Sequence, residues 1–340
     1  MRRPTLADVA ARAGVSAKTV SNVLLGRPNV STATGERVRA AVAEVGYVVN
    51  QAGRGLASGR TGRIAVVVPN LYQPYFAELA ERLILALAGR GLSTTLRIAH
   101  DGDAERDAAL GATTRDVDGV IICPHHFTAR MVQDQAPMRP VIQLGGGPIS
   151  LLDCVIMGER EGFEAIVRHL LSSGRRRIAL VMTGQETGPP SGDRFAGYLA
   201  ALEEHGVPFD KALLAYGSDW DRRMSGYEAM VGLLGSGVRF DAAACFNDAT
   251  ASGVLRALHR RGIRVPQEVA VTGFDNTDEG EFTTPSLSSV SPEQGEMVAA
   301  AIRMLLERIE GYDGPAREVR TGARLVLRNS SRWNRPAPRS

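Results

Sequence analysis

The chain is poor in cysteine, in lysine and in long apolar runs, and each shortage argues against a class of protein. Its three cysteines (Cys123, Cys154, Cys245) lie far apart and form no C-x-x-C pair. A disulfide framework or a structural zinc site is therefore not expected, and a reducing cytoplasm is the natural home. No uncharged apolar stretch reaches the roughly 18 residues that a membrane-spanning helix needs. The opening MRRPTLADVAARAG has the basic start of a secretion signal, but charges recur where the apolar segment should follow. Lysine occurs only twice, at Lys18 and Lys211, among 40 basic residues, which makes Lys18 worth following.

What is present is an ordinary globular composition, 44% hydrophobic and 23% charged. At roughly 150 residues per domain, the length corresponds to about two domains. The net charge of +3 is unevenly spread. Residues 1–60 carry nine basic side chains (Arg2, Arg3, Arg12, Lys18, Arg27, Arg37, Arg39, Arg54, Arg60) against three acids (Asp8, Glu36, Glu44), or +6, leaving −3 for the rest. A small basic head on a mildly acidic body points to a polyanion-binding module joined to something else.

In the head, Thr5 and Asp8 have the spacing of a capping box and precede an apolar stripe, Leu6, Val9, Ala10 and Ala13, at helical period. Gly14 stops that helix, Val15 turns inward, and Ser16 caps a second helix with Val20, Val23 and Leu24 on its inner face. Two short helices joined by a tight glycine turn read as a helix-turn-helix. A third helix, capped near Ser31 and closed by Gly46, carries Val38, Val42 and Val45 on one face. Any three-helix bundle shows such periodicity. The +6 charge and the polar outer face of the second helix (Ala17, Lys18, Ser21, Asn22) favour DNA. A recognition helix enters the major groove N-terminus first, so Lys18 meets guanine O6/N7, Asn22 adenine, and Ala17 a thymine methyl. Thr5, Ser16, Ser21, Ser31 and Thr34 are short hydroxyl donors at helix starts, suited to phosphate oxygens.

The ordered run TLADVAARAGVSAKTVSNVLLGRPNVSTATGERVRAAVAEVGYVVN, followed by Ala52-Gly53-Arg54-Gly55-Leu56, resembles the DNA-binding head of the LacI/GalR family of bacterial transcription regulators. The resemblance implies DNA contacts at Thr5, Leu6, Ser16, Ala17, Lys18, Ser21, Asn22, Ser31, Thr34, Asn50 and Leu56. It also implies that residues 50–58 form a hinge that turns helical on operator DNA, with Leu56 wedging into the minor groove and kinking the central step. Val49 stands where the family usually has proline, and Gly53 where it usually has alanine. With Gly55, two helix-weakening glycines cost about 1 kcal/mol each relative to alanine, so this hinge should be harder to fold.

In the body, short apolar runs (Ile64–Pro69, Leu96–Ala99, Gly119–Cys123, Val141–Leu144, Ile178–Met182, Ala242–Phe246, Val269–Thr272) alternate with amphipathic stretches such as 75–89, 159–172, 194–204 and 248–261. That alternation predicts βαβ units and parallel sheets. Its apparent restart near residue 176 predicts two doubly wound lobes with a cleft between them. Ligands of such sheets sit beyond the carboxyl ends of the strands, and there the sequence places Gln73, Tyr75 and Phe76, then Arg194, Trp220, Asn247 and Asp275. Trp220 would stack on a sugar ring, while Arg194, Asn247 and Asp275 would bond its hydroxyls. Taken singly, each is a surface or capping residue. The same positions match effector contacts in the family, whose body is similar to periplasmic sugar-binding proteins. One wall departs from the family pattern. Val155-Ile156-Met157-Gly158 lacks the usual aspartate, and Gly145-Gly146 replaces an Asp-Arg pair, which points to a bulkier effector or a degenerate pocket.

The fold expected is thus an all-α helix-turn-helix head (1–49), a hinge (50–61), an α/β body of two parallel-sheet lobes (62–327) and a disordered tail (328–340). His125-His126 and His100-Asp101 with Asp103 lack the spacing of a metal site, and no phosphate loop or nucleophile elbow occurs. No catalysis, cofactor or metal is expected. The expected function is a dimeric repressor on the bacterial nucleoid, binding pseudo-palindromic double-stranded operator DNA under control of a small sugar-like effector. Two alternatives share parts of the pattern: a sugar-binding transport protein, which needs a signal peptide, and a sugar-modifying enzyme with an appended helical head.

Overall fold

The computed structural model describes residues 4–24, 30–47, 60–111, 115–183, 192–218 and 222–332. The chain divides into two compact units, 1–62 and 63–340, each with its own core.

The first unit contains α1 (Leu6–Ala13), α2 (Ala17–Leu24) and α3 (Thr32–Val45). Local chemistry sets each boundary. Thr5 Oγ1 accepts the Asp8 amide while Asp8 Oδ2 accepts the Thr5 amide at 2.8 Å, a complete capping box. Gly14 and Gly46 end α1 and α3 with φ of 65° each, a left-handed conformation that favours glycine. Ser16 Oγ accepts the Thr19 amide at 3.1 Å, and Ser31 Oγ that of Thr34 at 3.3 Å. Val9, Val20 and Val38, all fully buried, form the centre of the core, with Ala10 and Ala41 beside them. The predicted helices and inward residues are those observed.

The second unit begins with β1 (Arg63–Val68), α4 (Pro74–Ala88), β2 (Ser93–Ile98), α5 (Gly102–Leu110), β3 (Gly119–Ile122), α6 (Ala129–Asp134), β4 (Val141–Leu144) and β5 (Asp153–Ile156). It continues through α7 (Glu159–Ser172), β6 (Ile178–Thr183), α8 (Asp193–Glu204), β7 (Leu214–Gly217), α9 (Arg223–Gly235), β8 (Ala242–Cys245) and α10 (Asp248–Arg260). Last come β9 (Ala270–Phe274), α11 (Glu279–Phe282), β10 (Ser288–Ser291), α12 (Gln294–Ile309), β11 (Glu318–Arg320) and β12 (Arg324–Val326). Two six-stranded sheets result, in the orders β11-β5-β4-β3-β1-β2 and β12-β10-β9-β8-β6-β7. Every pairing is parallel except β10 with β12. The central strands are apolar on both faces because helices cover both sides.

The chain crosses between lobes three times, and the first crossing lies earlier than residue 176. Helix α7 already packs on the second sheet: Phe163 lies against Phe246 and Phe274 with ring centroids 5.4 and 5.9 Å away. Helix α12 and β11 then return to the first lobe before β12 closes the second. The return is fastened by Asp153, whose side chain is 1% exposed and meets Arg308 Nη2 at 2.8 Å and Arg317 Nη2 at 2.7 Å. Burial alone would raise this carboxyl, but hydrogen bonds from Arg308, and from the Arg317 side chain and amide, bring it down to about 2.

The tail expected to be disordered from residue 328 requires correction over 328–332. Ser330 and Ser331 are buried. Ser330 Oγ donates to the Val271 carbonyl at 2.6 Å and accepts the Ser288 amide at 2.8 Å, while the Val271 amide donates to the Ser330 carbonyl at 2.9 Å. This short strap satisfies backbone groups of β9 and β10 that would otherwise be buried unpaired. Cys123, Cys154 and Cys245 are free and buried. Among the described residues no helix is long and apolar enough to cross a membrane, and no cluster of His, Cys, Asp or Glu is arranged to hold a metal.

Candidate DNA-reading face and ligand cleft

In the first unit, Ala17 and Lys18 are exposed on the opening turn of α2, with Ser21 and Asn22 half-buried one turn on. These four side chains therefore share the start and outer face of the second helix of the helix-turn-helix. The hydroxyls of Thr5, Ser16 and Ser31 act first as caps: Thr5 Oγ1 donates to Asp8 Oδ2 at 2.7 Å, and Ser16 and Ser31 share protons with Thr19 and Thr34 at 2.9 Å. Leu6 packs against the core, so the part of it suited to a phosphate is its backbone amide in the first turn of α1. Asn50 and Leu56 lie outside the described residues.

In the second unit, one cleft of about 1160 Å³ lies between the lobes. It gathers Gln73, Tyr75, Phe76, Arg194, Asn247 and Asp275, six of the seven positions singled out in the sequence; Trp220 lies outside the described residues, although Ser218 and Arg222 near it line the cleft. Gln73 and the first turn of α4 follow β1, Arg194 opens α8, Asn247 caps α10, and Asp275 follows β9. The convergence is thus a consequence of strand-end geometry in two parallel sheets.

Arg194 is the central cation. Its Nη2 donates to Glu159 Oε1 at 2.9 Å, its Nη1 to the Phe246 carbonyl, and its guanidinium lies 4.5 Å from the Phe274 ring centroid. Burial works against its charge, but Glu159 and Asp275 outweigh burial and raise its pKa. Asp275 is buried and its carboxyl is pushed well above the usual range by burial, a shift that Arg194 opposes and that Asp248 and Glu159 reinforce. Tyr75 is likewise raised by burial, so its phenol keeps its proton. Two buried polar atoms of the cleft residues, Gln73 Oε1 and Tyr75 Oη, have no protein partner.

The loop after β9 is held under strain. Asp275 and Asn276 have φ of 110° and 49°, a conformation costly for side-chain-bearing residues. Asp248 holds it from below, accepting the Thr277 amide at 2.8 Å, the Thr277 hydroxyl at 3.2 Å and the Ser289 hydroxyl at 2.6 Å. Arg328 Nη1, from the strap, donates to Asn276 Oδ1 at 2.9 Å. Asp278 then donates its amide to Glu78 Oε1 on α4 at 3.0 Å, tying the lobes beside the cleft.

The sequence reading missed Glu159. It looked for an acid at Gly158 and took that wall to have lost one; the carboxylate stands one residue later, as the first residue of α7, and meets Arg194. Asp248 and Arg328 were missed as well, because their partners lie 29 to 52 residues away. Gly145 and Gly146 both line the cleft.

A helix-turn-helix unit and a two-lobed α/β unit with a cleft, joined in one chain, are the architecture of a bipartite DNA-binding regulator. Comparison with known proteins names the kind. Residues 5–50 match the family described as bacterial regulatory proteins, lacI family, and residues 167–331 match the periplasmic binding protein-like domain. The chain is 33% identical over 338 residues to the HTH-type transcriptional regulator AscG of Escherichia coli (strain K12), covering 96% of this chain and 98% of that one. It is also 33% identical over 338 residues to the HTH-type transcriptional regulator CelR of Thermobifida fusca, covering 96% of each. Among solved structures, the lac repressor dimer bound to operator and an anti-inducer superposes with a TM-score of 0.81 at 25% identity, covering 97% of this chain and 99% of that one. A CelR–cellobiose complex superposes with a TM-score of 0.70 at 31% identity, covering 97% and 100%. The chain belongs to the LacI family of DNA-binding transcriptional regulators, and the relatives named are regulators rather than enzymes.

Proposed function

We propose that this protein is a homodimeric repressor whose affinity for a pseudo-palindromic DNA operator is set by a small uncharged polyol, a sugar or close relative, held in the cleft. The observation that carries the ligand reading is the state of the cleft's polar groups. Arg194 is already neutralised by Glu159, so an anionic ligand gains little there. Gln73 Oε1 and Tyr75 Oη are buried without partners, a cost of about 1–3 kcal/mol each that a ligand's hydroxyls would relieve. Hydroxyl groups both donate and accept, which suits an amide oxygen, a phenol and the Asp275 carboxyl together.

On the DNA side, one head covers too few base pairs to find a site in a genome, whereas a two-fold pair of heads doubles the contacts. Lys18, Asn22 and Ala17 read base edges, the helix starts at Thr5, Leu6, Ser16, Ser31 and Thr34 and the mid-helix hydroxyl of Ser21 on α2 hold phosphates, and Asn50 and Leu56 serve the hinge. Ligand binding shifts the lobes and, through them, how two protomers meet, which is coupling between two sites through two states. The setting is the bacterial cytoplasm, on the nucleoid.

The experiment is a thermal-shift screen of sugars and nucleosides against the full chain, followed by selection of bound sequences from random duplex DNA with and without the hit. The expected result is a raised Tm with a neutral sugar and a change in operator affinity of at least about tenfold, the 1–3 kcal/mol typical of allosteric coupling. Stabilisation only by anionic metabolites, or selection of non-palindromic DNA, would overturn the reading. Trp220→Ala should remove the ligand response and leave operator selection intact.

A further inference from the structure

The two lobes differ in charge at the edges that face away from the cleft. The cleft lies beyond the carboxyl ends of the parallel strands, so the connections that enter those strands lie on the opposite edge. In lobe two these are 173–177, 205–213, 236–241 and 261–269, and they carry seven basic residues against three acids, Asp210, Asp241 and Glu268. The four matching connections of lobe one, 89–92, 111–118, 135–140 and 310–317, carry four of each sign. Cations beside helix C-termini offset the helix dipole, but helices end at both edges. The dipole therefore does not account for the excess in lobe two.

The basic edge is held together by its own bonds. Asp241 accepts the Arg176 and Arg177 amides at 2.9 and 3.0 Å, and Arg177 Nε donates to the Arg239 carbonyl at 2.6 Å. Arg177 Nη2 reaches Asp210 Oδ2 at 3.0 Å, and Arg175 Nη1 donates to the Glu268 carbonyl at 3.1 Å. One connection thus fastens the other three. The acids are occupied within this frame: Asp241 on amides, Asp210 on Arg177, and Glu268 on Arg264 at 2.7 Å. Lys211, Arg239 and Arg261 are exposed, and among the described residues their side chains have no ion-pair partner. The strap ends beside them. Ser331 Oγ lies 2.9 Å from His169 Nε2 in the last turn of α7, and the exposed Arg332 follows it.

We propose that this edge of lobe two is a second, sequence-independent DNA surface, which holds another stretch of duplex by its phosphates while the head reads its own site. The strands it enters are neighbours in the order β9-β8-β6-β7, so at about 4.8 Å between strands the row of cations is about 14 Å long. A duplex carries one phosphate charge per roughly 1.7 Å of axis, so such a row meets several. Arginine forks suit phosphate oxygens. Among the described residues, Phe209 is the one large apolar side chain exposed on this edge, and its ring packs edge-on against Phe195 and Tyr198. A protein partner would need an apolar centre, and a single strand would need an aromatic stacking platform. The backbone of a duplex needs neither. The surface requires no ligand in the cleft and stands apart from the sugar reading.

The test is a bridging assay. The duplex that the full chain selects is fixed to beads and saturated with protein, and a fluorescent duplex of shuffled sequence is then offered in rising salt. The parent should retain the second duplex at about 50 mM salt and lose it as salt rises. Lys211→Gln, Arg239→Gln and Arg261→Gln together should cut retention at least about tenfold and lower its slope against log salt by about 2–3, at roughly 0.9 per phosphate contact. Affinity for the selected duplex and the Tm should match the parent, since these three side chains carry no ion pair of the fold. Arg90→Gln, Arg115→Gln and Arg139→Gln together remove the same charge from lobe one and should leave retention in place. No retention by the parent, retention that survives the lobe-two substitutions, or equal loss in both sets overturns the proposal. So does displacement of the second duplex by poly-glutamate more readily than by shuffled duplex, which would make the edge a dock for an acidic protein.

Discussion

Glu159→Gln removes the anion that Arg194 holds in the cleft while conserving shape. The pair is short, 2.9 Å, and enclosed, with side-chain exposures of 12% for Arg194 and 20% for Glu159. Stripping one partner from a buried ion pair costs about 3–5 kcal/mol, because the remaining charge stays desolvated. Two features reduce that figure here. The glutamine oxygen still accepts the Arg194 hydrogen bond, worth about 1 kcal/mol, and Asp275 remains as a second counter-charge for the guanidinium. The expected loss is about 2 kcal/mol, or roughly 4–8 °C in the Tm of a unit this large.

Differential scanning calorimetry of the full chain reads this on the body transition, which should shift while any separate head transition stays in place. Arg194→Met and the double variant complete a cycle. If the pair carries the effect, the coupling energy should exceed about 1 kcal/mol, since the two side chains are in direct contact. A Glu159→Gln Tm within about 1 °C of the parent, or strictly additive variants, would refute the assignment of Glu159 as the counter-ion that makes the cleft neutral.

Lys18→Ala or Asn22→Ala should relax base preference at one or two symmetric operator positions, by about 1–3 kcal/mol per lost bidentate contact; selection experiments that return the parent sequence would remove them as readers. Deleting residues 333–340 should leave the Tm unchanged, whereas deleting 328–340 removes the buried Ser330 and Ser331 with the Arg328 bond to Asn276 and should lower it by several degrees; equal values for the two truncations would show that the strap contributes nothing. Asp248 is raised to about 7 by burial, against the hydrogen bonds from Ser289 and Thr277. Its folded value lies above its unfolded one, so its contribution to stability is complete below about pH 4 and lost as pH rises through about 7. Tm should fall between pH 5 and pH 8 in the parent and less so in Asp248→Asn; identical slopes would contradict the raised carboxyl.

The legible parts of the sequence were those fixed by near neighbours. The Thr5–Asp8 capping box, the apolar stripes at helical period and the stops at Gly14 and Gly46 all act within a few residues, so local pattern located the head helices. The apolar runs that became β1, β3, β4, β6, β8 and β9 were legible because strands buried on both faces leave uniform apolar blocks. Strands β5, β7, β10, β11 and β12 were not. β5, β11 and β12 each carry a charged residue within three or four positions, β7 reads Leu-Ala-Tyr-Gly, and β10 reads Ser-Ser-Val-Ser. Its serines are buried because Ser288 meets Arg328 and Ser331, and Ser289 meets Asp248, partners 40 to 43 residues away. No local pattern announces a polar strand whose hydrogen bonds are closed by the end of the chain.

The cleft shows the same division between near and far. Strand-end placement found Gln73, Tyr75, Phe76, Arg194, Asn247 and Asp275 because topology alone directs those positions toward one crevice. The electrostatic balance of the crevice was misread, since it depends on which acid meets Arg194 across 35 residues of sequence. Reading Gly158 as a lost carboxylate predicted a wall without charge and a pocket open to doubt. With Glu159 beside Arg194, the wall is instead a neutral pair, and its hydrogen-bonding capacity is fixed before any ligand arrives. Gly145-Gly146 then takes on a different meaning. In a degenerate pocket, bare glycines would be slack chain; here the buried Gln143 makes three hydrogen bonds to the turn they begin, which satisfies its own amide and orders that turn.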